Sequence, residues 1–175
     1  MFNPSLSPDE RIRRYSVAQG THLLQSLGFG KDGTVHLTVQ RTAIKVFSHE
    51  AVFARERNCY LRLKEFNIHE VLGHNVPQLV NSDEDLLILE MTSVQPPFLL
   101  DFASAYLDWP PDFPPEVLED WRQQKAEEFG PNWPKVLVLL EFLADTYGIY
   151  LTDVHPGNIT FEPQPDVPTG SQSSS

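Results

Sequence analysis

Hydrophobic and polar positions first alternate clearly between Leu27 and Phe47, along LGFGKDGTVHLTVQRTAIKVF. Val35, Leu37 and Val39 are interleaved with Thr34, His36, Thr38 and Gln40, which is the period of a strand. After the turn-like Gln40-Arg41, residues 42–47 predict a second strand, and residues 22–27 predict one leading in. The period then lengthens. Ser48 is suited to cap a helix running to about residue 66. At about 100° per residue, Val52, Phe53, Cys59, Tyr60, Leu63 and Phe66 share one arc of that helix. Residues 76–80 and 86–91 predict two more strands around a polar turn, 81–85. Residues 95–115 are broken by six prolines and predict a connector with a short helix near 99–107. Residues 116–129 predict a polar, surface-lying helix. Val136, Leu139, Leu140, Leu143 and Tyr147 then mark a strongly amphipathic helix that opens at Trp133-Pro134 and stops at Gly148. Ahead of all this, Ser7-Pro8 predicts the start of a short helix whose function is unreadable.

Two positions break the pattern. Alternation puts Ala43, Lys45 and Phe47 on one face of their strand, so Lys45 lies on an apolar segment. Glu56 falls inside the apolar arc of the following helix. An isolated charge is costly to bury. Pairing Lys45 with Glu56 removes both costs at once; the alternative is that each reaches solvent at an edge.

Gly28, Gly30 and Gly33 are spaced G-x-G-x-x-G. A dinucleotide-binding fold requires a helix at the third glycine, and here a strand follows. A bare glycine-rich hairpin remains the plain alternative. The context, however, resembles the nucleotide-clamping lobe of the protein-kinase-like superfamily. Residues 28–35 match its G-x-G-x-x-G-x-V, and Ala43-Ile44-Lys45 matches its A-I-K. The resemblance implies backbone N–H groups of Gly28, Gly30 and Gly33 over phosphates, Val35 and Ala43 beside the nucleotide, and Lys45 on the phosphates, held by Glu56. It makes Glu90 and Met91 the start of a hinge whose backbone meets adenine.

A second match lies after the long amphipathic helix. Asp153-Val154-His155-Pro156-Gly157-Asn158 is by itself an Asx/Pro-Gly turn. In this order along the chain it resembles the kinase catalytic loop, closest to the small-molecule phosphotransferase and atypical-kinase branches. Asp153 would then serve the acceptor hydroxyl and Asn158 would hold Mg²⁺. Leu151 and Thr152 stand where the family usually has His and Arg, which argues against activation-loop control. No D-F-G follows. Asp166 is the next carboxylate beyond the Pro163-Gln164-Pro165 break, and Glu162 sits on the outgoing strand. The expectation is therefore one weak Mg²⁺ site or none.

The chain's 175 residues suffice for a proper core, and 41% hydrophobic with 21% charged residues is globular. A net charge of -11 argues against nucleic acid as partner. The charge is uneven, however. Residues 1–64 carry 10 Lys/Arg and 5 Asp/Glu, whereas residues 65–175 carry 3 and 19. A basic first part suits ATP, and an acidic second part suits a cationic acceptor, although most of those carboxylates read as a solvated face. No membrane span or leader pattern is present, and a lone Cys59 fits a reducing cytoplasmic setting. His69 and His74 complete no zinc pattern.

These readings combine into an α+β, protein-kinase-like fold. It has a five-stranded antiparallel N-lobe with one helix at 22–93 and a reduced, mainly helical C-lobe at 94–162. An N-terminal extension, 1–21, precedes it and a disordered tail, 163–175, follows. The function implied is ATP-dependent phosphate transfer to a hydroxyl on a protein or small molecule. The alternative is a pseudokinase, a nucleotide-binding or interaction module without turnover.

Overall fold

The structure, a computed structural model, describes residues 5–30 and 32–162; the expected tail, 163–175, lies outside them. Ser7 caps the first helix, α1 (Pro8–Gln19), through a capping box with Glu10. Then follow β1 (Leu23–Gly30), β2 (Gly33–Thr38), β3 (Thr42–Phe47) and α2 (Glu50–Glu65). A small ribbon, β4 (Glu70–Val71) and β5 (His74–Asn75), leads to β6 (Leu79–Asp83) and β7 (Ile88–Thr92). The second part holds β8 (Tyr106–Leu107), α3 (Pro115–Phe129), α4 (Trp133–Tyr147) and β9 (Ile149–Tyr150). Five strands form one antiparallel sheet in the order β1-β2-β3-β7-β6. The chain is thus an α+β fold: a five-stranded antiparallel lobe with α2 against it, then a reduced, mainly helical lobe.

The alternation in β3 separates two cores. Ile44 and Val46 pack with Ile88, Ile12 and Tyr15 beneath α1. Ala43 and Phe47 join the larger core with Phe53, Tyr60 and Leu63 of α2. The N-terminal residues are therefore more than an extension. Arg11 donates from Nη1 to the carbonyls of Phe47 and Leu86, and Tyr15 donates its hydroxyl to Glu90 Oε2 at 2.8 Å.

Five expectations are corrected. The α2 cap is His49, not Ser48. Strand pairing persists, with the Phe47 N–H on the Leu87 carbonyl and the Ser48 N–H on that of Asp32, so the helix starts later. The strand expected at 76–80 lies at Leu79–Asp83, because Pro77 has no N–H for a ladder and an edge strand tolerates polar Asn81 and Ser82. The turn moves to 84–87, where the Asp83 carboxylate accepts the Leu86 N–H and Leu87 has φ 49°. The helix expected near 99–107 is absent. Instead Leu99 bridges Ile159, and Tyr106 and Leu107 pair with Tyr150 and Ile149. Finally, α3 is more than a surface helix. Phe129 is buried, Trp121 packs edge-on to Trp133 of α4, and the Trp121 indole donates to the Thr152 carbonyl. Among the described residues, no helix is long and apolar enough to cross a membrane.

Candidate nucleotide cleft

A cavity of about 320 Å³ opens between the sheet and the second lobe. Its walls bring together residues remote in sequence: Gly28, Val35 and Ala43 from β1–β3, Met91 from β7, and Asn158 from the loop after β9. Lys45 and Glu56 stand at its inner end. A wider depression of about 640 Å³ lies between α1 and the β1–β2 edge, but holds none of the expected site residues.

Lys45 Nζ donates to Glu56 Oε2 at 2.7 Å. Glu56 is 1% exposed and Lys45 7%, so the pair is shut away from water. Burial pushes the Glu56 carboxyl up to about 7, against the pull of Lys45 and with the charge of Asp101 adding to the rise. Burial alone would lower Lys45, but the carboxylates of Glu56 and Asp101 outweigh it and hold the ammonium above its ordinary value. The reach between strand and helix follows from the packing. Phe47 and Phe53 meet edge-on at 5.6 Å and fix α2 over β3.

The three glycines separate by role. Gly33 has φ 152°, and a Cβ there would stand 2.0 Å from the Val46 carbonyl oxygen. It is demanded by the close approach of β2 to β3. Gly28 and Gly30 have open space where a Cβ would be, and Gly28 lines the cavity. An unfilled position beside a cavity leaves backbone free to meet a ligand. Glu90 points elsewhere. Its carboxylate takes the Tyr15 and Thr42 hydroxyls on the far face of the sheet, its backbone is paired with β3 and β6, and it is not among the residues lining the cavity, contrary to expectation. Met91 faces the cavity and receives the Tyr60 hydroxyl on its sulfur at 3.3 Å.

The 153–158 loop is held from three sides. Thr152 donates its hydroxyl to the Ser104 carbonyl, the Asp153 N–H donates to Ser104 Oγ, and the N–H groups of Asn158 and Ile159 turn back onto the His155 carbonyl. The Asp153 side chain is exposed and outside the cavity lining, whereas Asn158 is within it.

Asp101 is the residue that sequence reading missed. Lys45 Nζ also donates to Asp101 Oδ1 at 3.1 Å. Leu100, next to it, donates its N–H to the Asn158 carbonyl at 2.8 Å, and Phe102, fully buried, packs edge-on to Tyr60 of α2. The local signal was the Asp101-Phe102 pair after an apolar run. Among the described residues, no three His, Cys, Asp or Glu side chains gather closely enough to hold a metal unaided.

No protein-family model and no curated protein sequence matches the chain. Solved structures similar to it include the streptomycin–ATP ternary complex of APH(2'')-IIa. The identity there is 16% and the TM-score 0.41, over 54% of this chain and 31% of that one. The ADP-bound aminoglycoside phosphotransferase APH(2'')-Ib gives 14% and 0.41, over 49% and 28%. The gentamicin complex of APH(2'')-IIa gives 19% and 0.40, over 54% and 30%. Each likeness thus spans about a third or less of the other enzyme.

Proposed function

We propose that the chain is a reduced kinase-like phosphotransferase that binds ATP in this cleft and passes its γ-phosphate to a hydroxyl. The observation that carries this is the buried Lys45–Glu56 pair, whose ammonium lies in a cavity roofed by Gly28. A buried ion pair adds little to stability for the cost of desolvating two charges, which supports a functional role for Lys45 beside the cavity. Met91, Thr92 and Ser93 line the end of the cavity that would take the adenine, Lys45 meets the phosphates, and Asp153 on its exposed loop serves the acceptor. Catalysis here is positioning and charge stabilisation. Mg²⁺, when bound with the nucleotide, neutralises charge developing on the phosphates. Asn158 lines the cavity, and its side-chain carbonyl oxygen is the kind of ligand Mg²⁺ takes, while its enclosed side-chain nitrogen, without a partner among the described residues, is a donor suited to a phosphate oxygen.

The acceptor is a hydroxyl on a small molecule or a protein. The acidic balance of residues 65–175, 19 Asp/Glu against 3 Lys/Arg, favours a cationic one. A module without turnover is the second reading, favoured by the position of Asp153 outside the cavity lining.

Titration calorimetry with ATP tests the first step. Wild type binds, and Lys45→Met weakens binding by about tenfold or more, a loss of roughly 1.4 kcal/mol. Equal binding by the two proteins overturns the site. Release of ADP on adding candidate hydroxyl acceptors then separates transferase from module.

A further inference from the structure

The cleft has an unresolved charge balance. Among the described residues lining it, Lys45 is the one cation, set against Glu56 and Asp101. A polyphosphate entering such a site adds several negative charges next to two carboxylates. Electrostatics of this sign calls for a divalent cation. The downstream residue expected to hold it, Asp166, follows two prolines and lies outside the described residues.

We infer that Asp101, from upstream of the catalytic loop, is the carboxylate that holds this cation, together with Asn158 and the phosphates of the nucleotide. The inference rests on the ATP reading above. Its geometry comes from a pair of extended segments running side by side in opposite directions. Leu99 bridges Ile159, the Leu100 N–H reaches the Asn158 carbonyl at 2.8 Å, and the Thr160 N–H reaches the Phe98 carbonyl at 3.0 Å. One segment leaves the loop just after Asn158, and the other carries Asp101 into the cavity. A metal site needs both groups on neighbouring strands; which strand comes first in the chain is immaterial to the ion.

Two unspent groups face this role. The Ala103 N–H and Lys45 both bond Asp101 Oδ1, leaving Oδ2 without a bond among the described residues. Asn158, in the same lining, offers its side-chain carbonyl oxygen to the cation, while its enclosed nitrogen, without a partner among the described residues, is a donor for a phosphate oxygen. Two side chains are too few to hold a hard cation alone, which agrees with Mg²⁺ taking one or two protein ligands and completing its shell with phosphate and water. A merely structural Asp101, serving Lys45 alone, would leave metal binding unaffected by its loss.

The test uses the full chain and two readouts besides activity. Calorimetry measures ATP affinity with and without Mg²⁺, and electron paramagnetic resonance counts bound Mn²⁺ in the presence of a non-hydrolysable ATP analogue. Wild type tightens for ATP by about 5–150-fold on adding Mg²⁺, the usual span of coupling between two ligands. Asp101→Asn, compared with and without Mg²⁺ against its own metal-free ATP affinity, loses that tightening and binds no Mn²⁺. Asp166→Ala behaves as wild type. Should Asp101→Asn fail to fold, Asp101→Glu keeps the charge and displaces it by one methylene, and it weakens Mn²⁺ binding in the folded protein. Tightening or Mn²⁺ binding retained in the folded Asp101 variant overturns the inference, as does its loss in Asp166→Ala, or a wild type indifferent to Mg²⁺. A wild type that binds no nucleotide in either condition overturns the ATP reading first, and the inference with it.

Discussion

Lys45 and Glu56 meet at 2.7 Å across the strand–helix interface, and neither has water to fall back on. Removing one partner of such a pair leaves the other charged and buried. Glu56→Ala should therefore destabilise the fold by about 3–5 kcal/mol, read as a shift in the urea midpoint at pH 7.5. Lys45→Met should cost less, because the carboxyl of Glu56 can take up a proton. Its deficit should shrink as the pH falls, and a pH-independent deficit would contradict the pairing.

The same carboxyl sets a pH dependence of definite sign. Glu56 rises from an ordinary 4.5 to about 7 on folding, so between these values the folded state binds more protons than the unfolded state. Stability contributed by that proton is fully present below about 4.5 and is lost as pH rises through about 7. Glu10, Asp108 and Glu128 are held below their ordinary values by hydrogen bonds, respectively from Ser7, Arg62 and Lys125, and act in the opposite sense, but at pH below about 4.5. Chemical denaturation from pH 5 to 7.5 should thus show a declining midpoint in wild type. Glu56→Gln should flatten it. A midpoint that rises across this range in wild type would rule the assignment out.

The glycines give a test that separates folding from binding. Gly33→Ala should lower the melting temperature sharply, since its Cβ would meet the Val46 carbonyl at 2.0 Å. Gly28→Ala and Gly30→Ala have open space and should leave the melting temperature near wild type. At Gly28, which borders the cavity, the added methyl should nonetheless weaken ATP binding. Thermal melts and calorimetry on the three variants decide between a ligand-facing and a purely structural hairpin.

Under the proposed function Asp153 serves the acceptor, since it lies outside the cavity that Lys45 and Asn158 line. In a turnover assay Asp153→Asn should reduce kcat by about 10²–10⁴-fold, the usual scale for losing a general base, with ATP affinity unchanged. Turnover equal to wild type would remove Asp153 from the mechanism.

Much of this was written in local sequence. Period-two alternation separated the two faces of β3, and the structure finds a different core on each. The misplaced charges at Lys45 and Glu56 pointed to each other because burial leaves a charge few escapes. Ser7-Pro8 opened α1 and Gly148 closed α4, since caps depend on one or two residues. What could not be read were partners chosen by the folded chain. Residues 99–107 looked helical, but their backbone groups found neighbours at 149–150 and 158–160. The role of α1 was invisible, because Tyr15 finds Glu90 only once the sheet exists. The strongest case is Asp101. The Asp101-Phe102 pair does not by itself show that Asp101 meets Lys45, since an extended segment gains its hydrogen bonds from whichever strand lies beside it, irrespective of chain order. The sequence alone determined which side chains needed a partner, through the cost of burying charge and the periods of helix and strand. The tertiary structure decided that Asp101 joins them, because strand adjacency arises only when the whole chain packs.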